Sequence, residues 1–231
     1  MTEVRTEPSQ LVGNRWVLVG GIVYLLEWVA IIWVGVVGVG AFVERGAAGP
    51  ALVESYADHP DAMYAMAGWF AIVLLGRILL FIGLRQALAD SGHRHPLMDF
   101  AVAAAAVSVT IEIASYGLAA GAVTPAAAGD EGLTQAIDAA TAGLNLMIAG
   151  GLGVAILCSA YCMWRSGLFS TPLNLIGAVS GVGIIGAQLT VSPSWEALFN
   201  VLYAFPALFW VWMLWAGVVC WRRAGSITAS A

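Results

Sequence analysis

Apolar residues run along this chain in six long blocks, at about 16–43, 62–84, 98–122, 139–164, 173–191 and 197–221, separated by short polar stretches. Each block is close to or beyond the ~20 residues with which an α-helix crosses a bilayer's hydrocarbon core. The pattern predicts an all-α, polytopic membrane protein, a bundle of six transmembrane helices. A polar tail over 1–15 precedes the bundle and a second over 222–231 follows it. The first block is too long for the core of a signal peptide and contains Glu27, so it reads as an uncleaved first helix.

Charge in the connections sets the expected orientation. With the N-terminus in the cytoplasm, Arg5, Arg15, Arg85, Arg94, Arg165, Arg222 and Arg223 all fall on the inner side. The outer connections then hold Arg45 against Glu44, Glu54, Asp58, Asp61, Asp130, Glu131 and Glu196. Under the positive-inside rule both termini are cytoplasmic, in a multi-pass protein of the cell membrane. Within the long connection from Glu44 to Asp61, residues 51–57 suit a short interfacial helix, and Asp58-His59-Pro60-Asp61 reads as a capping turn rather than a metal site. The stretch Val123 to Ile137 reads as a mobile, solvent-facing loop.

Composition strengthens the membrane assignment: of 231 residues, 61% are hydrophobic and 10% charged, with a mean hydropathy of +0.88. Soluble domains are about a quarter charged. A net charge of −5 argues against nucleic acid as a partner. The chain has no lysine, which excludes Schiff-base and P-loop lysine chemistry. His59, His93 and His95 all lie outside the apolar blocks, away from any intramembrane haem or protease site. Cys158, Cys162 and Cys220 give no disulfide framework, and Cys158 and Cys162 read as small packing residues. No cofactor motif and no metal site is legible.

Glycine and the aromatics suggest how the helices meet. Gly117 and Gly121 in the third block, and Gly177 and Gly181 in the fifth, form small-xxx-small pairs that permit close approach, and such faces also suit oligomer formation. The fifth block, with few large anchors, is expected at the bundle centre. Pro206 predicts a kink in the sixth. Trp28, Trp210 and Trp212 lie too deep to be interfacial anchors, so they pack the core or wall a pocket.

Three charged residues fall well inside the blocks: Glu27, Arg77 and Glu112. Counted from the cytoplasmic face at 1.5 Å per residue, the two carboxyls lie at a similar depth of roughly 16–20 Å, and Arg77 at about 10 Å. Ionisable groups at such depth are costly and usually face a protein interior or watery cavity. Arg77 is long enough to reach up to a carboxylate or to run down to the interface, which leaves an ion pair and an uncompensated carboxyl pair as alternatives. Helical spacing puts Ser108, Ser115 and Tyr116 on the Glu112 face, and Tyr24 with glycines on the Glu27 face. Asp138, Thr141 and Asn145 form a polar stripe on the fourth block. With Gln188, Asn200 and Tyr203 they suggest a vestibule leading to the glutamates. Local hydrogen bonding by each of these residues is the competing reading.

Two later stretches carry a family resemblance. Tyr161-Cys-Met-Trp-Arg165-Ser-Gly-Leu-Phe-Ser-Thr-Pro172-Leu-Asn-Leu-Ile-Gly177 joins a helix end, a basic turn and a glycine-rich helix, and Asn200 to Gly217 opens a final helix on Pro206. With Glu112 in the third helix, the chain resembles a bacterial six-helix membrane family catalogued as domain of unknown function 4386. Val109 departs from its pattern, standing where a basic residue often precedes the helix-3 glutamate. The resemblance implies a six-helix architecture and a bacterial setting; it implies no activity and assigns no catalytic residue.

Four functions fit these residues. The first is intramembrane binding of an apolar or amphipathic small molecule or lipid, with Tyr24, Trp28, Arg77, Ser108, Ser115, Tyr116, Asn145, Asn200, Tyr203 and Trp210 as lining groups around the two glutamates. The second is an enzyme using Glu27 and Glu112 as an acid/base pair on an isoprenoid-like substrate, a cyclase or isomerase. The third is a proton-coupled transporter. The fourth is a structural or regulatory bundle without a ligand.

Overall fold

The computed structural model describes residues 10–37, 49–202 and 204–227. Among them the regular structure is helical, with no strand. Arg5, Glu44, Arg45 and Tyr203, invoked above, lie outside the described residues. In chain order the helices are α1 (Trp16–Leu25), α2 (Glu27–Val37), α3 (Pro50–Ala57), α4 (Pro60–Val73), α5 (Leu75–Asp90) and α6 (Pro96–Gly121). They continue with α7 (Val123–Ala127), α8 (Glu131–Ser166), α9 (Thr171–Leu189), α10 (Glu196–Leu202) and α11 (Phe205–Ile227).

Local chemistry explains most of the boundaries. α3, α4, α6 and α9 open with proline in the first turn, where a missing N–H costs nothing. His95 Nδ1 accepts from Leu97 N at the start of α6, and Asp130 Oδ1 accepts from Leu133 N at the start of α8. Gly167, at φ 66°, ends α8 in the left-handed conformation that glycine adopts without strain. α10 ends at Leu202 and Pro206 sits in the first turn of α11, so the apolar stretch Glu196–Ala224 is divided beside the proline at which a kink was expected.

Among the described residues, five helical stretches are long and apolar enough to cross a membrane: Pro60–Asp90, Pro96–Ala127, Glu131–Ser166, Thr171–Leu189 and Glu196–Ala224. The described part of the first apolar block, Trp16–Ile32, is shorter. Packing relations close on themselves: α6 lies on α8, α8 on α9, α9 on α11, α11 on α1, α1 on α5 and α5 on α6. Apolar surface still faces outward, with Ile72, Met147, Val182 and Leu189 all exposed, as befits a protein embedded in a membrane.

α8 has 36 residues, about 54 Å of helix against a hydrocarbon core of about 30 Å, so several turns project from one end. There they form a cap with α3 and α7. Leu52 and Tyr56 of α3 are buried, and the Tyr56 hydroxyl donates to Asp138 Oδ1 at 2.7 Å. The Val123–Ile137 stretch is therefore not the loop expected from its composition. Its alanines extend α7 and the first turns of α8 around a tight turn at Gly129, with Val123, Pro125, Ala126 and Thr134 buried.

Glycine packing also differs from expectation. A Cβ at Gly117 or Gly121 would meet nothing within 4 Å. The close approaches lie elsewhere: a Cβ at Gly20 would come within 2.6 Å of the Gly76 carbonyl oxygen, and one at Gly76 within 2.5 Å of Tyr24 N. Gly153 and Gly181 make the same backbone-to-backbone contact between α8 and α9, and Gly177 accommodates the fully buried Trp212. Helix α9 packs on α8, α10 and α11 by one side. Its Gly177–Gly181–Ile184 face packs, while Leu175, Val179 and Val182 point outward.

Candidate functional site

Two long helices are interrupted beside a charged residue. At Leu26, between α1 and α2, the carbonyl accepts from Val29 N three residues on and from Trp69 Nε1 at 2.8 Å. At Leu74, between α4 and α5, the carbonyl accepts from Arg77 N at 3.0 Å. These tighter i to i+3 turns put Glu27 and Arg77 in the first turns of the helices that follow. Both side chains are buried, Arg77 with 1% of its surface exposed and Glu27 with 6%.

Arg77 reaches a carboxylate. Its Nη2 lies 2.7 Å from Glu112 Oε2. The contact has the distance of an ion pair without hydrogen-bond alignment, so Glu112 Oε2 and Arg77 Nε have no hydrogen-bond partner. Arg77 Nη1 donates to Ser108 Oγ at 3.2 Å, and Ser108 Oγ donates to the Ile148 carbonyl at 3.0 Å, tying α5, α6 and α8 together. The guanidinium carbon sits 4.5 Å from the Tyr24 ring centroid, a cation–π contact in a desolvated place. Glu27 makes no ion pair with Arg77 but lies within electrostatic range of Arg77, Glu112 and the Tyr24 hydroxyl.

Aromatic rings surround the charges. Tyr116, one turn beyond Glu112, stacks on Phe70 at 4.0 Å between centroids and 11° between planes. Tyr24 packs against Phe209, and Trp28 meets Trp210 edge to face at 4.8 Å. Trp28 and Trp210 are half-buried, and the buried Trp210 indole N–H lies near the Tyr24 hydroxyl outside hydrogen-bond geometry.

Tyr24, Glu27, Arg77, Ser108 and Glu112 thus share one cluster, with Trp28, Tyr116 and Trp210 in its aromatic surround. Other residues of the expected set stand apart. Ser115 lies 2.8 Å from the Glu112 backbone carbonyl and 2.7 Å from Asn145 Oδ1; its single proton serves one of the two at a time. Asn145 is otherwise exposed, and so is Asn200 on α10. Thr141 donates to the Ile137 carbonyl of its own helix, and Asp138 is engaged by Tyr56. Sequence reasoning did not single out Phe70 or Phe209. Phe70 stands seven residues before Arg77, two helical turns away on the same face, and that spacing was a usable signal.

Among the described residues no group of three or more His, Cys, Asp or Glu side chains is arranged to hold a metal ion. Comparison with family models, curated proteins and solved structures gives no significant match, so the family resemblance stands on the quoted residues alone.

Proposed function

We propose that this is a six-span membrane protein of the bacterial cytoplasmic membrane, with both termini cytoplasmic, that binds an apolar or amphipathic small molecule or lipid at the Glu27–Arg77–Glu112 cluster. The one-sided distribution of arginine supports the orientation. One observation carries the binding reading: Arg77 pairs with Glu112 alone, which leaves Glu27 as a second buried carboxyl, with the Tyr24 hydroxyl near both it and the half-buried Trp210. A purely structural ion pair needs one acid and one base; a further acid costs stability unless something else meets it. A few polar groups set among aromatic walls are the usual composition of a small-molecule site.

The test is native mass spectrometry of the protein purified in mild detergent, followed by identification of any retained molecule. A bound species lost in both Glu27→Gln and Trp210→Ala supports the reading. Absence of any such species, together with undiminished stability of both variants, refutes it. Proton-coupled transport is the second reading, favoured by one fact: a single arginine lies within electrostatic range of two carboxyls. It requires proton flux into proteoliposomes that Glu112→Gln abolishes.

A further inference from the structure

We propose that the molecule bound here is an organic cation, taken by the Glu27 carboxylate and held against the Trp28 and Trp210 rings; this deepens the binding reading above and rests on it. The cluster holds two acids and one base, and the base is committed to Glu112. Glu27 is therefore the acid left without a base, at 6% exposure. An anionic ligand would add a like charge beside it. A neutral ligand would bury it further without compensation. A cation removes the imbalance.

Among the described residues, the elements around Glu27 add no base beyond Arg77. α1 contributes Tyr24, α5 contributes Arg77 and α6 contributes Glu112, while α4 and α11 bring Phe70, Phe209 and Trp210, which do not ionise. A proton also neutralises a carboxylate, but it makes no use of the rings. The site already binds one cation by a ring face, since the Arg77 guanidinium lies over Tyr24. The Tyr24 hydroxyl lies near both Glu27 and the Trp210 indole, and Trp28 meets Trp210 edge to face at 4.8 Å, so two large aromatic rings stand beyond the carboxyl. Carboxylate and indole faces together are the chemistry that recognises substituted ammonium or phosphonium groups.

The experiment titrates the full-length protein in mild detergent, by calorimetry against a detergent blank, with three probes of similar shape. These are tetraphenylphosphonium, neutral triphenylphosphine oxide and anionic tetraphenylborate. The expected result is that the cation binds at least tenfold more tightly than the neutral probe and that the anion does not bind. Glu27→Gln should lower cation affinity tenfold or more and leave the neutral probe unchanged, while Glu27→Asp should stay within a few-fold of wild type. Neutral and cationic probes binding wild type equally would overturn the cation inference and leave the binding reading intact. Unchanged cation affinity in Glu27→Gln would do the same. Binding of none of the probes, with no retained molecule in the mass spectrum, would overturn both. The probe ratio is read on wild type, so the test survives a Glu27 variant that fails to fold.

Discussion

Substituting alanine for Gly20 adds one methyl group where two helix backbones touch. The new Cβ would lie 2.6 Å from the Gly76 carbonyl oxygen and still closer to Leu80 N, against the 3.4 Å at which ordinary contact begins. Backbone atoms cannot rotate away as a side chain does, so relieving the 2.4 Å contact with Leu80 N requires α1 and α5 to part by about 1.0 Å. Overpacking of this kind costs about 1–3 kcal/mol, and the gain in helix propensity from glycine to alanine returns at most about 1 kcal/mol. At roughly 2–4 °C per kcal/mol for a chain of this length, Gly20→Ala should unfold several degrees below wild type. The assay is thermal unfolding in detergent, with Gly117→Ala and Gly121→Ala as matched controls. At those positions a Cβ meets nothing within 4 Å, so propensity alone acts and both controls should be as stable as wild type or slightly more so. The packing argument is refuted if Gly20→Ala matches or exceeds the controls.

Other consequences are equally open to measurement. Glu112→Gln leaves the Arg77 guanidinium buried without a counter-charge and should cost about 3–5 kcal/mol, whereas replacing Arg77 and Glu112 together with apolar residues of similar volume should cost far less; a double-mutant cycle in chemical unfolding checks this, and additive losses would count against the pair. Ser108→Ala removes the acceptor of Arg77 Nη1 and should cost about 1–3 kcal/mol in the same assay. In the cap, burial and then the neighbouring Asp138 carboxylate push the Tyr56 phenol above its ordinary 10.0. A raised folded value means that its stabilisation is complete below pH 10 and is lost as pH rises through the folded value, so Tyr56→Phe should flatten the alkaline limb of a stability–pH curve; an unaltered limb would rule the link out.

What could be read from the chain follows a physical division. Apolar block length reports the solvent a helix faces, and it located the long helices; the short helix expected over residues 51–57, inside a polar connection, is found as part of α3. Where a helix sits among its neighbours is a different matter. Gly117–Gly121 and Gly177–Gly181 share one sequence spacing, yet only the second pair is packed, because contact depends on what the opposing helix offers. The working pair, Gly20 and Gly76, lies on two helices and leaves no periodic trace within either. Tyr56 and Asp138, eighty-two residues apart, are likewise invisible to local pattern. The charged trio was conspicuous from its cost in an apolar setting, but the choice of Glu112 over Glu27 or the interface as the destination of Arg77 required the position of α6. Ser108, one turn below Glu112, supplies the second acceptor that holds the guanidinium in place.

The glycine contact and the charged cluster are one construction. Gly76 immediately precedes Arg77, and a Cβ at Gly76 would run into the backbone nitrogen of Tyr24, whose ring lies under the Arg77 guanidinium. Close approach of α1 to α5 is therefore what brings an aromatic face to a buried cation. The same approach brings Glu27, three residues on and just past the Leu26 turn, within range of Arg77. Separating the two helices by under 1 Å should leave the Arg77–Glu112 pair intact, because α5 and α6 hold it, while loosening Tyr24 and Glu27 together. Gly76→Ala should accordingly weaken binding of a cationic probe by more than its effect on stability explains. Ser108→Ala, acting on the other side of Arg77, should cost stability with little change in that binding. If the two variants affect probe affinity equally, the helix contact has no special part in forming the site.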